Sequence, residues 1–217
     1  MATMRDRMVA GSTGAVRKPG RAEHLPNSWR RAELMGTAAS IDFYTADMVR
    51  AIPDDGNWYE TVHGELLVSP GPRGWHQEMV ARLFVALRNY LESERVGHAF
   101  SSPADISWGP DILVQPDVFV VSLEQARTMD WSRMQDLRLT IEVLSPGSTR
   151  ADRFTKRRLY QEVGVPLYWL IDGDACSVEI WRPANRFPEV EREQIRWMPD
   201  CALEPFEVKL ADLFRPL

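Results

Sequence analysis

The sequence predicts an α/β domain in which helices flank a mixed β-sheet. Apolar, strand-like runs alternate along the chain with two amphipathic helical segments, and no internal repeat is present. The 15 prolines and 13 glycines among 217 residues favour short elements joined by turns. Hydrophobic residues make up 44% and charged residues 26% of the chain, a balance typical of a globular domain with a buried core. These proportions exclude a disordered chain, collagen and a disulfide-rich scaffold.

The first 40 residues differ from the rest of the chain. They are rich in Gly, Ser, Arg and Ala and follow neither helical nor strand periodicity, so we expect a disordered basic extension over 1–40 before a folded domain at 41–217. An Arg-rich, acid-poor start also fits a transit peptide, or translation from a later methionine.

Charge is distributed unevenly between these two parts. Residues 1–40 carry seven basic and three acidic side chains, so the net charge of −5 leaves −9 on residues 41–217. An acidic domain lacks the broad basic surface that phosphate binding normally requires. Any nucleic-acid binding therefore needs a local basic patch, the extension or metal ions.

The folded part is expected to begin with a short helix and a hairpin. Within 43–52, Thr45 can cap a short helix that ends before Pro53. The strand-like runs 58–62 and 65–69 flank a two-residue connection that contains Gly64, which predicts a β-hairpin with the glycine at a positive φ.

Two longer helices and five further strands follow. Apolar residues recur every three and four positions over 76–93, which predicts an amphipathic helix that covers one face of a sheet. A second helix is expected over 149–163. The remaining predicted strands are rich in β-branched and aliphatic residues and fall at 99–108, 117–121, 137–144, 167–171 and 177–181.

Cysteine content and hydropathy indicate the compartment in which the protein is expected. Cys176 and Cys201 are the only cysteines, and no His/Cys cluster indicates a zinc site, so we expect a cytoplasmic protein. The apolar runs are far shorter than the roughly 20 residues of a membrane span, so we expect no membrane crossing.

Two carboxylates lie where an apolar strand would not require them. Asp117 begins the run 117–121, and Glu142 lies within 137–144. A carboxylate in a buried strand is costly unless it is paired or binds a cation, so both positions predict a partner. Alternatively, Asp117 only marks the start of a strand after Pro116, and Glu142 faces solvent on an open side of the sheet.

A third group of polar residues lies on the second predicted helix. Asp152, Lys156 and Tyr160 are spaced by four and therefore share one helical face. If this face meets Asp117 and Glu142, the cluster can hold Mg²⁺ or Mn²⁺ through oxygen ligands, with the ammonium beside a phosphate or an attacking water. That arrangement predicts metal-assisted hydrolysis of a phosphodiester. As an isolated pair, Asp152 and Lys156 would instead be a surface ion pair.

The ordered set of motifs resembles the Uma-type restriction endonuclease family, within the PD-(D/E)xK nuclease superfamily. The matching residues, in chain order, are 59–70, His76, 115–118, 141–149, Asp152, Lys156, Tyr160 and 164–172. The resemblance implies a restriction-endonuclease-like fold and a Mg²⁺- or Mn²⁺-dependent endonuclease whose substrate is nucleic acid, expected to be DNA. It also implies that Asp117 and Glu142 bind the metal, that Glu65 joins them as a third carboxylate, and that Lys156 is catalytic.

One position departs from the superfamily pattern. There the lysine follows the strand carboxylate by two residues, and this chain has Leu144 at that position. Lys156 is the matching basic residue, moved to the following helix. The departure keeps open a second function, a non-cleaving nucleic-acid-binding or regulatory protein on the nuclease scaffold.

Three further alternatives remain open at this point. Glu65 could face solvent, and His76, at the start of the long helix, could contact substrate or metal or lie on the surface. A homodimer fits either a nuclease that cuts two strands or an interaction module built on the C-terminal strands.

Overall fold

A computed structural model of the chain describes residues 43–217. The predicted extension over 1–40 lies outside the described residues. The helices are α1 Ala46–Arg50, α2 Gly74–Glu94, α3 Leu123–Thr128, α4 Arg157–Glu162 and α5 Leu210–Leu213. A π-helical turn, Ala151–Lys156, leads directly into α4, and a 3₁₀ turn spans Trp131–Arg133.

The described part of the chain contains twelve strands in three sheets. The strands are β1 Asn57–Val62, β2 Glu65–Pro70, β3 His98–Ser101, β4 Ile106–Gly109, β5 Ile112–Val114, β6 Val118–Val121, β7 Leu139–Val143, β8 Tyr168–Asp172, β9 Ser177–Trp181, β10 Glu189–Glu191, β11 Gln194–Trp197 and β12 Phe206–Lys209. The central sheet has the order β10-β9-β8-β7-β6-β3, a second sheet has the order β2-β1-β5-β4, and β11 pairs with β12.

The predicted fold class, a mixed sheet flanked by helices, is confirmed. In the central sheet β7 and β8 are parallel, whereas the other neighbours are antiparallel. One prediction was wrong: residues 99–108 do not form one strand. The chain turns at Ser102 and Pro103, so that β3 joins the central sheet and β4 joins the second one.

Helix α2 covers one face of the central sheet. Its apolar stripe includes Leu83, Leu87 and Leu91, each no more than 2% exposed, and these side chains pack with Val118, Val120 and other alternate residues of the strands. Within residues 43–217, no helix is long and apolar enough to span a bilayer.

The opposite face of the central sheet packs against α4 and the second sheet. Because side chains alternate along a strand, Phe119 and Val121 face this side, together with Tyr160 of α4 and Val62 of β1. The two faces thus bury separate hydrophobic clusters, and polar residues at the ends of the strands lie between the second sheet and α4.

Candidate active site

The register of β6 and β7 brings Asp117 beside Glu142. Val118 lies opposite Ile141 in this antiparallel pair, so the residue before β6 and the penultimate residue of β7 are neighbours. The Asp117 backbone N–H lies 3.4 Å from Oε2 of Glu142, and the Val143 backbone N–H donates to Oδ2 of Asp117 at 2.7 Å. Two distant stretches of sequence therefore deliver two carboxylates to one point.

Glu142 points away from α2 and into the opposite side of the sheet. Its neighbours Ile141 and Val143 belong to the cluster under α2, so alternation turns Glu142 toward α4. The residue is only 3% exposed. Its Oε1 accepts hydrogen bonds from Nζ of Lys156 at 3.0 Å and from the hydroxyl of Tyr160 at 3.1 Å. The prediction that Glu142 needs a partner is confirmed.

Lys156 lies at the centre of a group of carboxylates. Its Nζ is 2.7 Å from Oε2 of Glu60, 3.0 Å from Oε1 of Glu142 and 3.4 Å from Oδ1 of Asp152. The π-helical turn carries both Asp152 and Lys156, and the two residues are 2% and 4% exposed. The pair is therefore buried, unlike the surface pair that was the alternative interpretation.

Glu60, in the middle of β1, is a member of this cluster that the sequence analysis missed. Its Oε1 accepts a hydrogen bond from the backbone N–H of Gln115 at 2.6 Å, and the residue is 6% exposed. Alternation along β1 places it on the same side as Val62, which is buried. That shared face is the signal in the sequence that could have identified Glu60.

The structure does not place Glu65 in the cluster. Glu65 begins β2 directly after the hairpin turn, opposite Val62, and it is exposed. Glu60 lies opposite Leu67, two positions further from the turn, which corresponds to about 7 Å along the strand. The carboxylate that β1 and β2 contribute is therefore Glu60 and not Glu65, because the cluster lies toward the open end of the hairpin.

His76 reaches the site from the first turn of α2. Its Nε2 is 3.1 Å from Oδ2 of Asp117, and its side chain is 12% exposed. Burial lowers the pKa of His76, but the hydrogen bond and negative charge of Asp117 outweigh this effect and raise the pKa above its ordinary value. His76 is thus a direct partner of Asp117 rather than a surface residue.

The cluster carries more negative than positive charge. Burial raises the pKa of Glu142 well above its ordinary value, and it raises the pKa of Glu60 and of Asp152 as well, because one lysine only partly offsets the loss of hydration. Burial lowers the pKa of Lys156, but the charges of Glu142, Glu60 and Asp152 outweigh it and raise that pKa well above its ordinary value.

This surplus of buried carboxylate oxygens suits a divalent cation. The residues line a cleft of about 100 Å³, together with Trp58, Pro70 and Pro72. Among residues 43–217, no three acidic, histidine or cysteine side chains already lie at metal-ligand spacing. Nζ of Lys156 lies among the carboxylates instead. The donor set nevertheless fits Mg²⁺ or Mn²⁺, because it consists of hard oxygen ligands with excess negative charge.

Comparisons with known proteins give a family and a solved structure that this chain resembles. A family model described as "Uma2: Putative restriction endonuclease" matches residues 46–211. Among solved structures, the chain is similar to a putative nuclease belonging to DUF820 from Anabaena variabilis ATCC 29413. The two chains are 23% identical and superpose with a TM-score of 0.66 over 79% of this chain and 97% of the other. None of the curated proteins matches the chain.

Proposed function

The chain belongs to the Uma2 putative restriction endonuclease family, and on this basis we propose that it is a Mg²⁺-dependent endonuclease that hydrolyses phosphodiester bonds of DNA. The observation that carries the proposal is the meeting of Asp117, Glu142 and Lys156. The Val143 backbone N–H donates to Oδ2 of Asp117, and the Asp117 backbone N–H lies 3.4 Å from Oε2 of Glu142. Nζ of Lys156 lies 3.0 Å from Oε1 of Glu142.

Asp117 and Glu142 are the proposed metal ligands. Each has an oxygen that the protein leaves weakly engaged: among the described residues no hydrogen bond involves Oδ1 of Asp117, and the only contact of Glu142 Oε2 is the 3.4 Å one. When bound, the metal supplies a Lewis acid for the phosphate and lowers the pKa of a bound water. His76 and Tyr160 hold the two carboxylates in orientation through the hydrogen bonds at 3.1 Å.

Lys156 provides the positive charge that the reaction requires. Its ammonium would stabilise the negative charge that develops on the phosphate or orient the attacking water. A lysine on a helix can serve in place of one on the strand because its flexible stem carries a compact charge to the same point. The position after Val143, Leu144, is thereby free to be apolar.

Cleavage of supercoiled plasmid and of single-stranded oligonucleotides tests this proposal. The wild-type protein with Mg²⁺ or Mn²⁺ is expected to cleave DNA, and EDTA, Asp117→Ala and Lys156→Ala are each expected to abolish cleavage. Asp212→Asn, at an exposed position on α5, is the matched control and should cleave as the wild type does. Equal activity in wild type, Asp117→Ala and Lys156→Ala would exclude the proposed site.

A second function is favoured by one observation, namely that Nζ of Lys156 lies within 3.4 Å of three carboxylates of the protein itself. A lysine held in this way also suits a protein that binds nucleic acid without cutting it. In the same experiment, wild-type protein that retards DNA in a gel but leaves it intact with either metal would support that function.

A further inference from the structure

Glu60 differs from the other carboxylates of the cluster because both of its oxygens make short contacts with protein donors. Oε1 accepts the Gln115 backbone N–H at 2.6 Å, and Oε2 lies 2.7 Å from Nζ of Lys156. The latter is the shortest of the three contacts that Nζ makes with carboxylates. Both carboxylate oxygens of Glu60 are thus held by protein donors at 2.7 Å or less, whereas among the described residues Oδ1 of Asp117 accepts no hydrogen bond and Oε2 of Glu142 accepts only the one at 3.4 Å.

The backbone group that holds Glu60 is itself fixed. The Gln115 side chain donates to Oδ1 of Asp105 at 2.9 Å, and Oγ of Ser102 lies 3.1 Å from the Gln115 carbonyl and 2.7 Å from the Pro116 carbonyl. Gln115 precedes Asp117 by two residues, so one short segment orients both Asp117 and Glu60. A carboxylate anchored in this way can fix the position of the ammonium relative to Asp117.

We propose that Glu60 is a positioning residue that holds the ammonium of Lys156 beside Glu142, and that it is not a metal ligand. This inference rests on the proposed function for its consequence in catalysis. Glu60→Gln tests it most directly, because a carboxamide has one acceptor and one donor end. Whichever way it turns, it can satisfy either the Gln115 N–H or the Lys156 ammonium, but not both.

The ammonium of Lys156 can be observed directly. The chain has three lysines, Lys18, Lys156 and Lys209, so ¹⁵N-lysine labelling of the full chain gives a simple NMR spectrum. A buried, hydrogen-bonded ammonium exchanges protons slowly enough to give a resolved signal, and loss of a signal in Lys156→Met assigns it. We expect this signal to shift or broaden beyond detection in Glu60→Gln. It should stay unchanged in the control Glu193→Gln, because Glu193 is exposed on the loop before β11.

Metal binding and cleavage then separate a positioning role from a ligand role. In Glu60→Gln we expect the affinity for Mn²⁺ to fall clearly less than in Glu142→Gln, which should weaken it at least about tenfold because a ligand carboxylate is lost. The kcat of Glu60→Gln should fall roughly tenfold to a hundredfold with KM unchanged. Glu60→Asp keeps a carboxylate and should recover part of kcat and of the NMR signal.

Two results would overturn the proposal. One is an unchanged Lys156 signal in Glu60→Gln, and the other is a loss of Mn²⁺ affinity as large as that in Glu142→Gln, which would make Glu60 a ligand. A wild-type protein that does not cleave would refute the nuclease function, while a Lys156 signal that still depends on Glu60 would support the positioning role.

Discussion

At the scale of single residues, Lys156 is the cation on which the buried cluster depends. It lies within 3.4 Å of Glu60, Glu142 and Asp152, and all four residues are no more than 6% exposed. A buried ion pair adds little net stability, but removal of one partner leaves the other charge without compensation. The lysine therefore matters both for the proposed chemistry and for the folded state.

Replacement of Lys156 by methionine is expected to destabilise the protein. The side chain keeps a similar volume, but the carboxylates lose their counter-ion, so the free energy of unfolding at pH 8 should fall by about 3–5 kcal/mol. Urea denaturation without metal measures this change. Lys209→Met, at an exposed position, is the control and should stay within about 0.5 kcal/mol of wild type. A Lys156→Met protein as stable as the control would contradict the geometry of the cluster.

The sequence identified most of these residues but not all. Asp117 and Glu142 could be predicted because a carboxylate within an apolar run needs a partner, and Lys156 because spacing by four places it with Asp152. Glu60 was missed because Tyr59 and Thr61 beside it do not form an apolar run that would mark the acid as buried, and the face that it shares with Val62 is the one signal it leaves. Its burial depends on how the hairpin packs against α4, which is a tertiary fact.

At the scale of elements, the π-helical turn carries Asp152 and Lys156, the two residues of the second predicted helix that join the carboxylate cluster with their charges. The sequence predicts one helix over 149–163, and the structure divides this region into the turn Ala151–Lys156 and α4. A π-helical turn contains more residues per turn than an α-helix and is frequent at functional sites. Periodicity predicted the shared face correctly, but it does not distinguish a π-turn from an α-turn.

The later strands were harder to predict than the central ones. Strands β6, β7 and β8 are buried on both faces, so they read as apolar runs, whereas β10 and β12 show mostly exposed or half-buried positions. A short strand with little burial leaves no hydrophobic pattern in the sequence. The β11–β12 hairpin was missed for this reason, and α5 because its four residues are too few to show a helical period.

Helix α2 packs against one face of the central sheet and places His76 beside Asp117. Its buried side chains should therefore contribute strongly to the free energy of unfolding. Leu87 is fully buried, and Leu87→Ala is expected to lower the free energy of unfolding by about 2–5 kcal/mol through lost burial and a new cavity. Val85 is 56% exposed on the same helix, and Val85→Ala should change it by about 0.5 kcal/mol or less. Equal effects in urea denaturation would contradict the packing of α2.

At the scale of the whole molecule, the cluster makes stability depend on pH. The pKa values of Glu60, Glu142 and Asp152 are raised by burial in the folded protein, so the folded state favours their protonated forms. Their contribution to stability is complete below the ordinary pKa of a carboxyl, near 4.5 for glutamate, and is lost as the pH rises through the raised folded values.

The sign of this effect can be tested with Glu142→Gln. The difference in free energy of unfolding, wild type minus variant, should fall as the pH rises from 5 to 8 without metal, by at most about 1.4 kcal/mol per pH unit for one group. Urea denaturation of both proteins at each pH measures the difference. A difference that is constant, or that grows with pH, would show that Glu142 is not held in a protonation-favouring site.

The acidic balance of the folded part also favours a divalent cation as a partner. Residues 41–217 carry −9, and the buried cluster adds its own surplus of carboxylates, so a divalent cation is the simplest partner for both the site and a phosphate substrate. Family membership indicates a nuclease, but the fold alone does not establish catalysis. Metal binding by Asp117 and Glu142 is the step that would connect family membership with catalysis.

Calorimetric titration of the full-length protein with Mn²⁺ tests that step most directly. We predict a saturable heat of binding in the wild type that is weakened at least about tenfold in Asp117→Asn and in Glu142→Gln, with the Asp212→Asn control unchanged. No binding in the wild type, or the same affinity in all four proteins, would contradict a divalent metal site between β6 and β7.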